Sequence, residues 1–441
     1  VRVELAIEDL APGGEGMGRD GARPVFVPFT APGDRVLVEV AAGQGPAHGV
    51  LLRLVEPGPG RVEPPCRHFG PGEEPDRLCG GCEWLHLRYQ AQLAQKARAL
   101  AETLRRIGRL EPGSYRLLPV VPSPQLLRYR SRAKFHLDRP SGRLAFFRRR
   151  SHEPVRLAEC HLLEPALDAL RAAVGPALCE AGLAAREVTL EWSAHQGRGA
   201  AALALAEAGP GARARAEALL GAVPALAGVV LLADGAPPRL VGDPVLRHER
   251  WPGGPGRGLS RSRPDVFRQA NRLANALLVE AALDLLRPDG EAVLELFCGA
   301  GNFTGPLALR ARSVAAVEAQ GPALELARQD LQNPAFSRAG LRFFAGDALG
   351  LARAFAREAG PAARRFGAAL LDPPREGARG VGPALRDLGV PRAVYVSCDP
   401  ATLARDLKGC LEAGFRVTAV QPVDMFPQTH HVEAVALVER G

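Results

Sequence analysis

The sequence predicts a mixed α/β chain in three parts: a small OB-like β-barrel, a central α/β segment carrying clustered cysteines, and a C-terminal Rossmann-like parallel sheet. Three observations carry this. Residues 1 to about 60 break into short, evenly spaced strands with Gly/Pro turns. Cys66, Cys79 and Cys82 then fall in one short array, "CRHFGPGEEPDRLCGGC". From about residue 265 onward, strand–helix units repeat, and a Gly-rich turn follows the first of these strands.

The barrel strands read as "VRVELAIEDL", "ARPVFVPF", "DRVLVEVAA" and "HGVLLRLVEP", a pattern shared with folds that hold RNA. After the cysteine array a helix is predicted near 86–108, with Leu93, Ala97, Leu100, Leu104 and Ile107 forming one buried face. Next comes the most basic stretch. Arg128, Arg130, Arg132 and Lys134 alternate, so a strand places them on one face, and residues 128–150 hold nine cations against the single acid Asp138. That balance predicts a phosphate-binding surface, with a solvated strand face as the bland alternative. A hairpin turn is expected near Ser141-Gly142, helices and strands continue to 250, and "WPGGPGRGLSRSRP" (251–264) reads as a linker.

In the C-terminal part "EAVLELFCGAGNFTGPLAL" is strand, turn and helix, and the next strand ends in Glu318. Later strands are followed by Asp347, by Asp372 and by Cys398, and two antiparallel strands are expected to close the sheet. An acid at the end of the second strand suits ribose hydroxyls, and one after the third can reach an adenine amine. With no full G-x-G-x-x-G and no P-loop, an adenosyl ligand is favoured over NAD or ATP.

Composition sets the bounds. The 441 residues allow two or three domains, and the 46% hydrophobic content is that of a globular chain. No apolar run approaches the ~20 residues of a membrane span, and the opening segment lacks a secretory pattern, so no membrane partner and a cytoplasmic setting are expected. A net charge of +8 favours a polyanionic partner. Only Lys96, Lys134 and Lys408 of the 56 cations are lysine, which fits GC-rich coding, while few asparagines and many prolines also fit a thermophile.

Two groups of cysteines are chemically informative. The Cys-x12-Cys-x2-Cys array lacks a fourth ligand, and Cys160 in "VRLAECHLL" is the best candidate. One Cys-x2-Cys pair with two distant singles leans toward an iron–sulfur cluster, with structural zinc as the alternative. Cys179 reads as helix core. Cys398, in "VYVSCDPATLARDL", sits between a buried strand and a helix start capped by Asp399 or Thr402. At that position a thiol is either a small buried filler or a nucleophile.

The motifs together resemble the S-adenosylmethionine-dependent RNA uracil-5 methyltransferases. The nearest likeness is to the bacterial 23S rRNA branch, which has a TRAM domain and a 4Fe-4S cluster. "LAPGGEGMGRDG" and "CGGCEWLHLRYQAQL" match its first segments, and "YRSRAKFH" and "GRLAFFRRRSHE" its central domain. "DVFRQAN", "LELFCGAGNFT", "LLDPPREG", "VSCDPATLARDL" and "DMFPQTHHVE" match its catalytic domain. The resemblance implies a TRAM domain over 1–58, an iron–sulfur central domain over 59–255 and a catalytic domain over 256–441.

The same resemblance makes Cys398 the nucleophile and Glu433 the base, and Cys66, Cys79, Cys82 and Cys160 the ligands of the 4Fe-4S cluster. It places Gln269, Phe297, Asn302, Glu318, Asp347 and Asp372 around S-adenosyl-L-methionine and the target base. The implied partner is RNA, 23S rRNA first and tRNA as the alternative, acted on by a monomer. Three departures stand out: a long Cys66–Cys79 gap, Glu295 where aspartate is common, and Gln428 where histidine is common. A cytosine-5 enzyme and a non-catalytic redox-sensing RNA-binding protein are the rival readings. The first fits poorly because arginine follows Asp372-Pro373-Pro374, the second because both Cys398 and Glu433 stand in their motifs.

Overall fold

The computed structural model describes residues 1–441 apart from 44, 73–76, 208, 250–257, 333–335, 337–339 and 360–364. Strands β1 (Arg2–Leu10), β2 (Gly16–Asp20), β3 (Arg23–Val27), β4 (Arg35–Val40) and β5 (Ala47–Glu56) close into a barrel in the order β1-β2-β3-β5-β4. Inward positions alternate as a pleat requires, with Leu5 and Ile7 of β1 and Val36, Val38 and Val40 of β4 in its core. β2 escaped the sequence reading because "GMGRD" has almost no apolar side chain. Phe69 and Leu85 join the barrel core, which fastens the cysteine-rich segment to the barrel.

Helix α1 (Tyr89–Arg106) lies inside its predicted span, but its buried face differs. Leu100 and Leu104 are buried as expected, whereas Ile107 is 43% exposed, and Gln92, Gln95 and Lys96 are buried instead. Leu100, Leu104 and Leu110 pack with Leu294, Leu371 and Tyr395, so this stretch belongs to the core of the C-terminal sheet. β6 (Arg116–Leu117) adds the last strand to that same sheet.

The central sheet is built from β7 (Arg132–Asp138), β8 (Arg143–Phe147), β9 (Pro154–Val155), β10 (Ala185–Ser193), β11 (Arg198–Leu205), β12 (Leu226–Ala233) and β13 (Arg239–Gly242). Their order is β13-β12-β11-β10-β7-β8-β9, with α2 (Pro165–Glu180) and α3 (Ala212–Ala222) packed into its core. A separate hairpin pairs β14 (Leu246–Glu249) with β15 (Leu259–Ser262). The second half of the predicted linker is therefore ordered strand, and residues 251–257 of it lie outside the described residues.

The C-terminal unit runs α4 (Arg272–Leu286), β16 (Ala292–Leu296), α5 (Thr304–Arg310), β17 (Ser313–Glu318), α6 (Gly321–Leu331) and β18 (Gly340–Ala345). It continues with α7 (Ala348–Ala359), β19 (Ala368–Leu371), α8 (Val381–Asp387), β20 (Arg392–Ser397), α9 (Pro400–Glu412), β21 (Phe415–Val423) and β22 (Glu433–Arg440). The strand order is β18-β17-β16-β19-β20-β22-β21-β6. β18 to β20 are parallel, and β22 runs antiparallel between β20 and β21. The order reverses between β16 and β19, the crevice where open α/β sheets take their ligands. Among the described residues, no helix is long and apolar enough to cross a membrane.

Two side-chain expectations are corrected. Cys179 is exposed, because it sits at the end of α2 beyond the buried stripe of Leu167, Leu170, Val174 and Leu178. The basic strand alternates as predicted, with Tyr129, Ser131, Ala133 and Phe135 buried, but it is not a free cationic face. Arg128 donates to Cys160 O at 3.0 Å, Arg132 donates to Pro264 O at 2.6 Å and faces Glu191 at 3.4 Å, and Lys134 pairs with Glu187 at 2.9 Å. Arg130 turns into a cavity, over the Phe426 ring at 5.6 Å. Arg149 and Arg150 both meet the buried Glu15 of the barrel, at 3.4 and 3.0 Å. The neutralising acids come from other parts of the chain, so a count within 128–150 could not see them.

Candidate active site and thiol cavity

The carboxyl ends of the parallel strands gather the predicted cofactor residues. β16 ends in a sharp turn where Phe297 takes φ 62°, followed by Gly299 at 55° and Gly301 at 88°. A left-handed phenylalanine is a strained residue of the kind that collects at ligand sites. Glu318, at the end of β17, accepts the Gly299 N–H at 2.9 Å and the Gln320 N–H at 2.7 Å, so its carboxylate already faces the Gly-rich turn. Asn302 exchanges two amide hydrogen bonds with Asn275 of α4, at 2.8 and 3.0 Å. Asp347 is exposed beyond β18, the outermost parallel strand, and accepts the Gly350 N–H at 2.6 Å. Gln269 is buried in the segment that leads into α4, 8% exposed. Beneath the turn, Glu295 has no exposure; burial, reinforced by the Asp372 and Glu318 charges, pushes its acid up to about 8 against a partial offset from Thr304.

Cys398 follows β20, and Asp399 caps α9 by accepting the Ala401 and Thr402 N–H groups, both at 2.9 Å. The β20–β22 register pairs Ser397 with Ala434, so one further step brings Cys398 level with Glu433. Burial pushes the Cys398 thiol up to about 11, with the Glu433 and Asp372 charges adding to the rise. Arg375 opposes them, its nearby guanidinium charge pulling the thiol down. Glu433 is raised to about 8 by burial and by Asp372, again opposed by Arg375. Burial likewise lifts Asp372 to about 7. Cys398, two carboxyl groups and one guanidinium thus form a single constellation. The sequence reading passed over Arg375, although its place directly after Asp372-Pro373-Pro374 at a strand end was a usable signal.

The other thiols meet elsewhere. Cys66, Cys79, Cys82 and Cys160 line one cavity of about 320 Å³, together with Arg130, His431 and Arg375. Burial raises all four, Cys79 to about 12, and each of Cys66, Cys79 and Cys82 is raised further by the Cys160 charge. Arg130 pulls Cys82 and Cys160 the other way. Among the described residues, no group of three or more His, Cys, Asp or Glu side chains is arranged to hold a metal ion. Burial holds His431 down at about 4 and therefore neutral. Next to it, His430 lies 3.5 Å from Glu83; burial alone would raise Glu83, but the His430 contact outweighs it and the acid is lowered.

Comparison with known proteins agrees with this layout. Residues 257–441 match the family described as tRNA (Uracil-5-)-methyltransferase, and residues 2–45 match the TRAM domain. The chain is 35% identical to the 23S rRNA (uracil(1939)-C(5))-methyltransferase RlmD of Alkalilimnicola ehrlichii, across 99% of this chain and 96% of that one. It is also 35% identical to the protein of the same name from Pseudomonas putida, across 100% and 94%. Its fold is shared with the tRNA (uracil-54, C5)-methyltransferase of Pyrococcus abyssi, solved in complex with S-adenosyl-L-homocysteine. That match has a TM-score of 0.71 at 22% identity and spans 99% of this chain and 100% of the other.

Proposed function

We propose that this chain, which belongs to the S-adenosylmethionine-dependent RNA uracil-5 methyltransferase family, methylates C5 of a uridine in 23S rRNA through a covalent adduct on Cys398. The observation that carries the mechanism is the juxtaposition of Cys398, Glu433 and Arg375 at the carboxyl edge of the sheet. Uracil C5 is too weak a nucleophile to take a methyl group from a sulfonium unaided. The Cys398 thiolate adds to C6, and the C5=C6 electrons pass toward O4 as an enolate. Arg375 stabilises that thiolate against the two neighbouring carboxylates, and Gln269 is the donor assigned to O4. C5 then attacks the methyl group, releasing S-adenosylhomocysteine. Glu433 removes the C5 proton, the double bond re-forms and the C6–sulfur bond breaks. Glu318 suits the ribose hydroxyls, Asp347 the adenine amine, and Phe297 and Asn302 the walls of the adenosyl site.

The four thiols that line one cavity are the donor set a 4Fe-4S cluster takes, one cysteine to each iron. When bound, the cluster cross-links the 66–82 segment to residue 160. The target base must also leave its stack to enter the site, which costs a few kcal/mol. The barrel and the exposed cations Arg139 and Arg143 are suited to holding the RNA meanwhile. We place the enzyme in the cytoplasm as a monomer. Labelled S-adenosylmethionine with separated 23S rRNA and tRNA tests the substrate. Label in 5-methyluridine of 23S rRNA is the expected result, and label in tRNA alone would move the assignment to that substrate.

A further inference from the structure

Lys96 has no solvent exposure, and the carboxylate it meets is equally buried and lies 328 residues away. Its Nζ donates to Asp424 Oδ1 at 2.5 Å and to Phe426 O at 3.0 Å. The other Asp424 oxygen accepts the Tyr89 hydroxyl at 2.8 Å, and that hydroxyl accepts the Ser123 N–H at 2.7 Å. Phe426 N–H adds a third bond to the Asp424 carboxylate, at 3.2 Å. On the same helix face, Gln92 bonds Gln428 twice, at 2.9 Å each.

These contacts all fall on the loop 424–432, which joins β21 to β22 and delivers Glu433. Hairpin loops normally run over the surface. Here Asp424, Met425, Gln428, Thr429 and Val432 are buried. The loop is clamped by chain from outside its own hairpin: Tyr129 donates to Pro427 O at 3.1 Å, Asn271 to Met425 O at 3.1 Å, and the Glu83 and Trp84 N–H groups to Gln428 O at 3.1 and 3.0 Å. Register places Val423 opposite Glu433, so Asp424 is the first loop residue past that pair, at the mouth of the hairpin. A buried ion pair seldom adds net stability over an apolar pair of the same shape. What it does supply is direction, since one carboxylate holding three donors has a single place to sit.

We infer that Lys96, acting with Tyr89 through Asp424, is a positioning residue for Glu433 and serves proton removal rather than methyl transfer. The inference rests on Glu433 being the base. It explains why the buried face of α1 carries Gln92 and Lys96 where an amphipathic helix would carry leucine. It also ties the Cys82 segment to the base, because Lys96 lies 5.9 Å from the Trp84 ring.

The test compares Lys96→Met, Tyr89→Phe and Glu433→Gln in the full-length protein with RNA and labelled S-adenosylmethionine. Methylated adduct formed and methylated RNA released are followed separately. Lys96→Met should form the adduct at close to the normal rate but release product roughly 10- to 100-fold more slowly, since a small misplacement of a reacting group costs that much. Tyr89→Phe removes one hydroxyl only, keeps the ring, and should show the same split to a smaller degree. If Glu433→Gln accumulates adduct while Lys96→Met and Tyr89→Phe lose formation and release in parallel, or lose neither, the positioning role is overturned and the base stands. If Glu433→Gln accumulates no adduct, the base assignment falls and the inference falls with it.

Discussion

Two sets of cysteines lie close together in this molecule and have opposite surroundings. Cys66, Cys79, Cys82 and Cys160 share a cavity in which burial raises every thiol, and the Cys160 charge raises the other three further. Cys398 is also held protonated by burial, but its neighbours are two carboxyl groups and one guanidinium. The direction of the shift is the same in both places, so it does not sort ligand from nucleophile. The company differs: the cavity thiols face one another and Arg130, whereas Cys398 faces Arg375, Glu433 and Asp372, the setting the proposed nucleophile needs. Arg375 and His431 line the cavity wall, so the two sites share a boundary.

Replacing one cysteine from each set should break the comparison most sharply. Cys398→Ala should lower methyl transfer on the order of 10⁴-fold or more, as loss of a nucleophile does, and leave iron content unchanged. Cys82→Ser should do the reverse at first contact: anaerobically purified wild type is expected to carry about four irons and four sulfides, and the variant to lose them. It should also lose RNA binding while still binding S-adenosylmethionine, measured by calorimetry. Stoichiometric zinc without sulfide in the wild type would put the cavity in a different class.

A smaller effect is expected from Arg375→Ala. Removing the only cation that offsets Glu433 and Asp372 raises the thiol further, so less thiolate is present at any given pH. Adduct formation should slow by about 10- to 100-fold, and its pH profile should move to higher pH, with partial recovery in Arg375→Lys. A uniform loss with an unmoved profile would give Arg375 a packing role only.

Glu295 gives a stability test with a defined sign. Its folded acid is raised to about 8, so folding favours the protonated form. That contribution is fully present below the ordinary glutamate range near ~4.3 and is lost as pH rises through about 8. Glu295→Gln should therefore melt near the wild type at pH ~4 and above it at pH ~9, read by calorimetry. The smallest effect concerns the basic hairpin. Arg130 and Arg132 are engaged within the protein, so the exposed Arg139 and Arg143 are the cations left to meet phosphate. Neutralising both should reduce the slope of log K against log salt by roughly 0.7–0.9 per lost contact.

What could be read from the chain followed local rules. The strand "VYV" before Asp399-Pro400 marked the end of β20 and its helix cap from propensity alone. The run of acids at strand ends was legible for the same reason. What could not be read depended on partners far away in sequence. Gln92 and Lys96 are polar, so an apolar stripe could not reveal them as buried; their partners stand at 428 and 424. The cations of 128–150 looked free because Glu15 lies just before β2 and Glu187 and Glu191 lie on β10, far away in sequence. β2 is nearly all glycine and polar residues, and only its neighbours make it a strand.

The central claim is that Cys398 bonds to the target base and Glu433 ends that bond. Intact mass and denaturing gel mobility of Glu433→Gln, incubated with RNA and methyl-labelled S-adenosylmethionine, test it most directly. The account predicts a denaturant-resistant protein–RNA species that carries the methyl label and is absent when Cys398→Ala is added. Release of methylated RNA at the normal rate with no adduct would contradict it, and His430 and His431 would then be the next groups to test as the base.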